Sequence, residues 1–233
     1  MTPGRAVIIG ASSGIGLEIA RLHLSQGWRV AVAARRESLL RELFSASVPA
    51  GCIAALDVTA ENGPQILEKL VAELGGADRI YFVSGTGELN AGLEWEPERA
   101  TLAVNVTGFA RLAVAAMGIF ERQRAGHLIG ISSIAALRAF GEAPAYGASK
   151  AFMSRYLQGL RLRARASGLP VYVTDVRPGF VATAMMKADK PFWVASAEKA
   201  AGQIVAAADR RAKIVYVTRR WALIGWLLKA LPE

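Results

Sequence analysis

Short, almost continuously apolar runs alternate along this chain with longer segments whose apolar residues recur at helical spacing. The runs Arg5–Ile9, Arg29–Ala33, Gly51–Leu56, Arg79–Val83, Gly126–Ile131, Pro170–Val176 and Lys213–Thr218 read as strands. The segments Ile15–Gln26, Pro64–Leu74, Glu98–Arg124, Tyr146–Ser167 and Ala197–Asp209 read as helices. Strands without a polar face belong in a parallel sheet covered on both sides. Strict β/α alternation then predicts a doubly wound, seven-stranded parallel α/β sheet with helices on both faces. No linker, repeat or low-complexity tract interrupts the pattern, so residues 1–233 read as one domain.

The first strand runs straight into Gly10-Ala11-Ser12-Ser13-Gly14-Ile15-Gly16, where a helical pattern begins. Glycines at such a turn let the backbone approach a pyrophosphate, and the new helix offers unpaired N–H groups to the anion. A lone glycine cluster is also compatible with an ordinary βα turn. The second strand ends at Ala34-Arg35-Arg36. An NAD site usually places a carboxylate about here, near the ribose hydroxyls. Two arginines instead suit a phosphate dianion, which favours NADP(H) with Arg35 as the main contact, although a solvated arginine pair reads the same way.

Further along, a strand delivers Ser132 and Ser133 at its carboxyl end, and Tyr146-Gly147-Ala148-Ser149-Lys150 follows. If Tyr146 opens a helix, Lys150 lies one turn later on the same face. An ammonium there, together with the positive charge of an oxidised nicotinamide, favours the phenolate and lowers the phenol's pKa from about 10 toward a working range. A neighbouring serine hydroxyl can polarise a substrate oxygen.

Taken together these motifs resemble the short-chain dehydrogenase/reductase family, of classical type and Rossmann-like fold. The resemblance runs from the first strand to about Met185. It includes Asp57-Val58, Asn105 in Val104-Asn105-Val106-Thr107-Gly108, Ser133, Tyr146, Lys150 and Pro178-Gly179-Phe180-Val181-Ala182-Thr183, with thirteen residues from Ser133 to Tyr146. It implies a hydride-transferring enzyme acting on a carbonyl or alcohol, with Asn105, Ser133, Tyr146 and Lys150 as the catalytic set. Asn105 would kink its helix and hold a water leading to Lys150. The implied cofactor contacts are Gly10, Ser12, Ser13, Gly14, Ile15, Gly16, Arg35, Arg36, Asp57, Val58, Ser84, Gly85, Asn105, Tyr146, Lys150, Pro178, Gly179, Val181 and Thr183. Where the family usually has Asn-Asn-Ala-Gly, this chain has Ser84-Gly85-Thr86-Gly87. The resemblance also implies a homodimer or homotetramer, with Phe109, Leu112, Met117, Phe152, Met153 and Leu157 as candidate interface or core positions. A non-catalytic NADP(H) sensor on the same fold is the alternative, since fold does not prove chemistry.

Composition narrows the rest. With 53% hydrophobic and 20% charged residues the chain has ample core material. The net charge of +9 comes from basic residues scattered along the sequence, without a nucleic-acid motif, so no nucleic-acid partner is expected. Cys52, His23 and His127 supply no metal cluster. The run Ala6–Ile9 is too short for a signal peptide, and no stretch approaches the about 20 apolar residues of a span. A soluble, cytoplasmic protein is expected. Substrate selection is expected from Ile134–Ala145, from Ala184–Ser196 with Met185, Met186, Phe192 and Trp193, and from an apolar C-terminal helix near residues 219–231. That helix could pack on its own domain or a partner subunit, cover a greasy pocket, or make peripheral membrane contact.

Overall fold

The computed structural model describes residues 3–138, 141–186 and 191–230. Seven strands form one sheet: β1 (Arg5–Ile9), β2 (Arg29–Ala34), β3 (Ile53–Ala55), β4 (Arg79–Phe82), β5 (Gly126–Ile131), β6 (Val171–Pro178) and β7 (Ile214–Val217). Their order is β3-β2-β1-β4-β5-β6-β7, and every pairing is parallel. The order reverses between β1 and β4, which opens a crevice at their carboxyl ends, the usual ligand position in such sheets. Val7, Ile8, Val32, Ile80 and Ile129 are fully buried, as the absence of a polar face in these strands requires.

Among the described residues eight α-helices flank the sheet, the last of them after β7: α1 (Gly14–Ser25), α2 (Glu37–Phe44), α3 (Gly63–Leu74), α4 (Trp95–Leu102), α5 (Phe109–Gln123), α6 (Pro144–Ala166), α7 (Ala197–Asp209) and α8 (Trp221–Ala230). Four details differ from the sequence reading. Helix α2 is additional; its Leu40 and Phe44, one turn apart, are its buried face. Strand β3 is shorter than Gly51–Leu56 because Ala50–Cys52 forms a 3₁₀ turn after Pro49. The segment expected as Glu98–Arg124 begins at Trp95, and at Asn105, where the resemblance implied a kink, it is broken by a π-helical turn at Ala103–Gly108. Helix α6 starts at Pro144 rather than Tyr146, with proline in its first turn, where a missing N–H costs nothing.

The stretch Trp95–Gln123 is long and apolar enough by composition to cross a membrane, contrary to the expectation that no segment approaches that length. Its apolar residues have another use. Phe109, Leu112, Ala113, Ala116, Met117, Ile119 and Phe120 are buried on α5, and Phe109 packs edge-on against Phe82 of β4. The same burial favours the core over the interface for these candidates: Phe109, Leu112, Met117, Met153 and Leu157 belong to the core, and Phe152 packs partly buried against it.

Both histidines lie away from the carboxyl ends of the strands. His23 Nε2 meets Tyr81 Oη at 2.9 Å, and His127 Nε2 meets Thr174 Oγ1 at 2.8 Å. Burial lowers their pKa values to about 4 and about 3. Below pH 6.5 the unfolded chain therefore binds two protons that the folded chain refuses, and stability falls as pH falls toward that range. Between pH 6.5 and pH 5 each imidazole should cost about 2 kcal/mol. Urea unfolding at the two pH values should show His23→Gln removing about half of that loss; an undiminished loss would exclude the imidazole as its source.

Candidate active site

After β1 the chain turns through Gly10 (φ +98°) into Gly14 (φ +55°), backbone conformations that glycine adopts without strain. A β-carbon on Gly10 would lie 2.6 Å from Ser84 N, and one on Gly14 would lie 2.9 Å from Thr183 Cγ2. On Gly16 it would collide with the Gly10 carbonyl. The glycines thus bring three loops together at the crevice. Ser13 leads into α1 without a side-chain cap, so first-turn N–H groups are left for another acceptor. This cradle fits a dinucleotide pyrophosphate.

The two arginines diverge in their surroundings. Arg36 Nη2 lies 3.5 Å from Ser12 Oγ, above the glycine turn. Arg35 adds its charge to the field on Asp57. Asp57 Oδ1 accepts from Thr59 N at 2.8 Å and Thr59 Oγ1 at 2.7 Å, and these bonds hold its carboxyl below the usual range. Val58 is buried, and its carbonyl backs onto Gly108, where a β-carbon would lie 2.5 Å away. Val181 forms an isolated parallel bridge with Ala195, beyond Pro178 and Gly179.

Strand β5 ends in two serines that face different ways. Ser132 Oγ points back to Asp175, at 2.5 Å from its Oδ1. Ser133 caps a 3₁₀ turn at Ile134–Leu137, accepting from Ala135 N at 3.1 Å, and its side chain is near enough to Tyr146 to favour the phenolate. Lys150, one turn along α6 from Tyr146, has its Nζ 5.8 Å from the centre of the phenol ring. That Nζ donates to the Ile131 carbonyl at 3.1 Å and lies 3.5 Å from Met153 Sδ. Asn105, fully buried in the π turn, binds the next loop on both sides of one residue. Its Oδ1 accepts from Thr86 N at 3.0 Å, and its Nδ2 donates to Thr86 O at 2.6 Å and Ser149 Oγ at 3.0 Å. The four residues singled out from the sequence are therefore neighbours.

The expected lowering of the phenol's pKa combines the ammonium with the charge of an oxidised nicotinamide, and the protein alone supplies only the first. Burial raises the Tyr146 phenol above its ordinary value, with the Ser133 side chain pulling the other way. Lys150 does not offset this in the protein alone, because its own pKa is lowered to about 8 by burial. The loop departure is resolved in structural terms. A β-carbon on Gly85 would lie 3.1 Å from Lys150 Nζ and 3.4 Å from Asn105 Oδ1, and one on Gly87 would collide with the Tyr146 ring. Small residues let this loop lie directly on the Tyr–Lys pair, and the Asn105 clamp on Thr86 holds it there.

The sequence reading missed one support, Glu98. Glu98 Oε2 accepts from Ala145 N at 2.9 Å, fixing the first turn of α6, and its Oε1 accepts from Asn90 Nδ2 at 2.7 Å. Trp221, at the start of α8, lies so close under Gly179 that a β-carbon there would collide with the indole. Its ring joins Phe180, Phe192 and Trp193 in an aromatic cluster. The C-terminal segment therefore packs on its own domain beside the loop that follows β6, yet Leu223 and Trp226 remain largely exposed. Of the proposed specificity stretches, Ala139, Phe140, Lys187–Lys190 and the terminal Leu231 lie outside the described residues. Among the described residues no group of His, Cys, Asp and Glu could hold a metal.

A parallel sheet with this strand order, a glycine turn at its crevice and a Ser–Tyr–Lys cluster at the end of β5 define a dinucleotide-type oxidoreductase fold. The model of the short chain dehydrogenase family matches residues 5–192, and the chain belongs to that family. An uncharacterized oxidoreductase of Myxococcus xanthus is 38% identical over 182 residues, covering 76% of this chain and 71% of that one. A glycine betaine reductase of Emericella nidulans is 36% identical over 228 residues, 92% of this chain but only 17% of that much longer protein. Among solved structures, a short-chain dehydrogenase/reductase from Burkholderia phymatum in complex with NAD superposes with a TM-score of 0.84 at 20% identity, covering 97% of this chain and 92% of that one. A Sphingobium yanoikuyae short-chain dehydrogenase in complex with NADPH gives 0.79 at 22%, covering 97% and 94%. The protein is an oxidoreductase of this family.

Proposed function

We propose that the protein transfers a hydride between NADP(H) and a carbonyl or alcohol carbon of an apolar substrate. The observation that carries this reading is Lys150 one helical turn behind Tyr146, its Nζ 5.8 Å from the phenol ring, with the Ser133 side chain acting on that phenol at the mouth of the sheet crevice. A bound nicotinamide would supply or accept the hydride, and its oxidised form would add a positive charge beside the phenol. Tyr146 gives its proton to the substrate oxygen in reduction and takes one in oxidation. Ser133 holds that oxygen. Lys150, an ammonium below pH about 8, counters the effect of burial on the phenol once the nicotinamide charge is also present. Asn105 keeps the 84–87 loop against this pair through Thr86.

The uncapped α1 terminus and its glycines would hold the pyrophosphate, and Arg35 and Arg36 the 2′-phosphate. The Pro178–Thr183 loop, braced by Trp221, would close on the nicotinamide. Phe180, Phe192, Trp193 and Trp221 support an apolar substrate wall, which the outer face of α8 extends. A binding-only sensor has no use for the Tyr146–Lys150 pair. The test is NADPH oxidation monitored against a panel of ketones, aldehydes, steroids and acyl carbonyls. Turnover of at least one apolar member is expected, and NADPH binding without any turnover, in either direction, would favour the sensor.

A further inference from the structure

Behind the active site lies a buried ionic network that the hydride-transfer scheme does not use. Asp175 of β6 is 1% exposed. Its Oδ1 lies 2.5 Å from Ser132 Oγ, and its Oδ2 accepts from Ser154 Oγ and Arg177 Nε, both at 2.8 Å. Arg177 Nη2 also donates to Ser154 Oγ at 2.8 Å, and its Nη1 donates to Tyr216 Oη of β7 at 3.1 Å. Each of these partners has a place relative to the reacting groups. Ser132 immediately precedes Ser133. Tyr146, Lys150 and Ser154 follow one another at four-residue intervals, so they occupy successive turns on one side of α6. One carboxylate therefore joins the strand end that carries the serine to the helix that carries the phenol and the amine.

The charges are equally specific. The charged and titratable groups around Asp175 are Lys150 and Arg161 from α6, Arg177 on its own strand, and Tyr216 at the far end of Arg177. Arg161 is spent on backbone carbonyls, donating to Val173 O at 2.9 Å and Lys213 O at 2.6 Å. Asp175 holds Ser154, one helical turn from Lys150, and Ser132, the residue after the Ile131 whose carbonyl Lys150 Nζ binds, so its charge lies close to the ammonium and opposes the penalty of burial. An ammonium removed from water is sustained only by a nearby opposite charge or by hydrogen bonds to it.

We propose that Asp175 is a positioning residue of this enzyme: gripped by Ser132, Ser154 and Arg177, it sets the spacing of Ser133 against the Tyr146/Lys150 helix and supplies the buried negative charge that keeps Lys150 protonated. The inference rests on the proposed hydride-transfer site only for what that ammonium then does. Its own content is electrostatic and is measurable without a substrate.

The experiment is a pH titration of lysine side chains by NMR on the whole protein carrying ¹³C-labelled lysine, with Lys150 identified by the signal lost in Lys150→Met. In the parent protein that signal should titrate near pH 8. Asp175→Asn keeps the shape and removes the charge, so the midpoint should fall by about one pH unit or more. Arg177→Gln removes the cation that competes for the carboxylate, so the midpoint should rise. A role confined to packing would lower the melting temperature of both variants and leave the midpoint in place, which overturns the proposal. If Asp175→Asn does not accumulate as folded protein, the direction in Arg177→Gln decides alone: upward supports the inference, and no movement or a fall sinks it. Because no turnover is read, absence of carbonyl reduction across the substrate panel would count against the proposed function and leave this result standing.

Discussion

Tyr146→Phe should reduce kcat and kcat/KM together by roughly 10²–10⁴-fold, the span expected when a positioned general acid is deleted. The substitution is close to isosteric at this site. The phenyl ring still fills the space against Gly87, where even one added carbon would collide, so the loop has no reason to move. What disappears is the hydroxyl that faces Ser133. NADPH affinity, measured by fluorescence titration, should stay within about threefold, because such a change is under 1 kcal/mol. An equal fall in both kinetic constants means the lost interaction belongs to the transition state rather than to substrate binding. Turnover within about tenfold of the parent would mean that another group, or water, supplies the proton, and the proposed chemistry would be wrong.

Much of this geometry is legible in the residue order because it is local. The β1–glycine–α1 unit is contiguous, and Tyr146 and Lys150 need only the four-residue period of one helix to become neighbours. The strand that presents Ser133 is recognisable from its apolar run alone. Harder to see is anything set by approach in three dimensions. The π turn that buries Asn105 has no counterpart in the hydrophobic period, which reads straight through residues 98–124 as one helix. The rise in the Tyr146 pKa depends on how much water the folded chain excludes, and a Tyr-x-x-x-Lys pattern carries no such information. Some signals were present and went unused. Leu40 and Phe44 at helical spacing mark α2. In Val-Tyr-Val-Thr-Asp-Val-Arg-Pro, two opposite charges alternate within a strand that is otherwise apolar, and at period two they must share a face. Buried charges are seldom kept without a partner, so that pair alone pointed to the Asp175–Arg177 network.

Cofactor choice should turn on the end of β2. Replacing both Arg35 and Arg36 by Ala is expected to lower kcat/KM for NADPH by roughly 10²-fold and to leave that for NADH within about threefold. Charge-assisted hydrogen bonds to a phosphate are worth about 1.5–3 kcal/mol each, and each 1.4 kcal/mol is about a factor of ten. Both arginines are exposed, so solvent screening argues for the lower end of that range. Ala34 immediately before them is buried and uncharged, which leaves no carboxylate at that position to repel a 2′-phosphate. The residue order favours Arg35 as the main contact, whereas the geometry brings Arg36 to 3.5 Å from Ser12 Oγ beside the glycine turn. Arg35 acts from the Asp57 side. The two guanidinium groups therefore approach the adenosine end from different directions, and each single variant should lose a part of the preference. Competition by 2′,5′-ADP separates this effect from a general weakening, since that compound carries the phosphate and lacks the nicotinamide. Its inhibition should weaken in step with NADPH use. An unchanged ratio of NADPH to NADH efficiency in the double variant would return both arginines to the role of solvated surface charge.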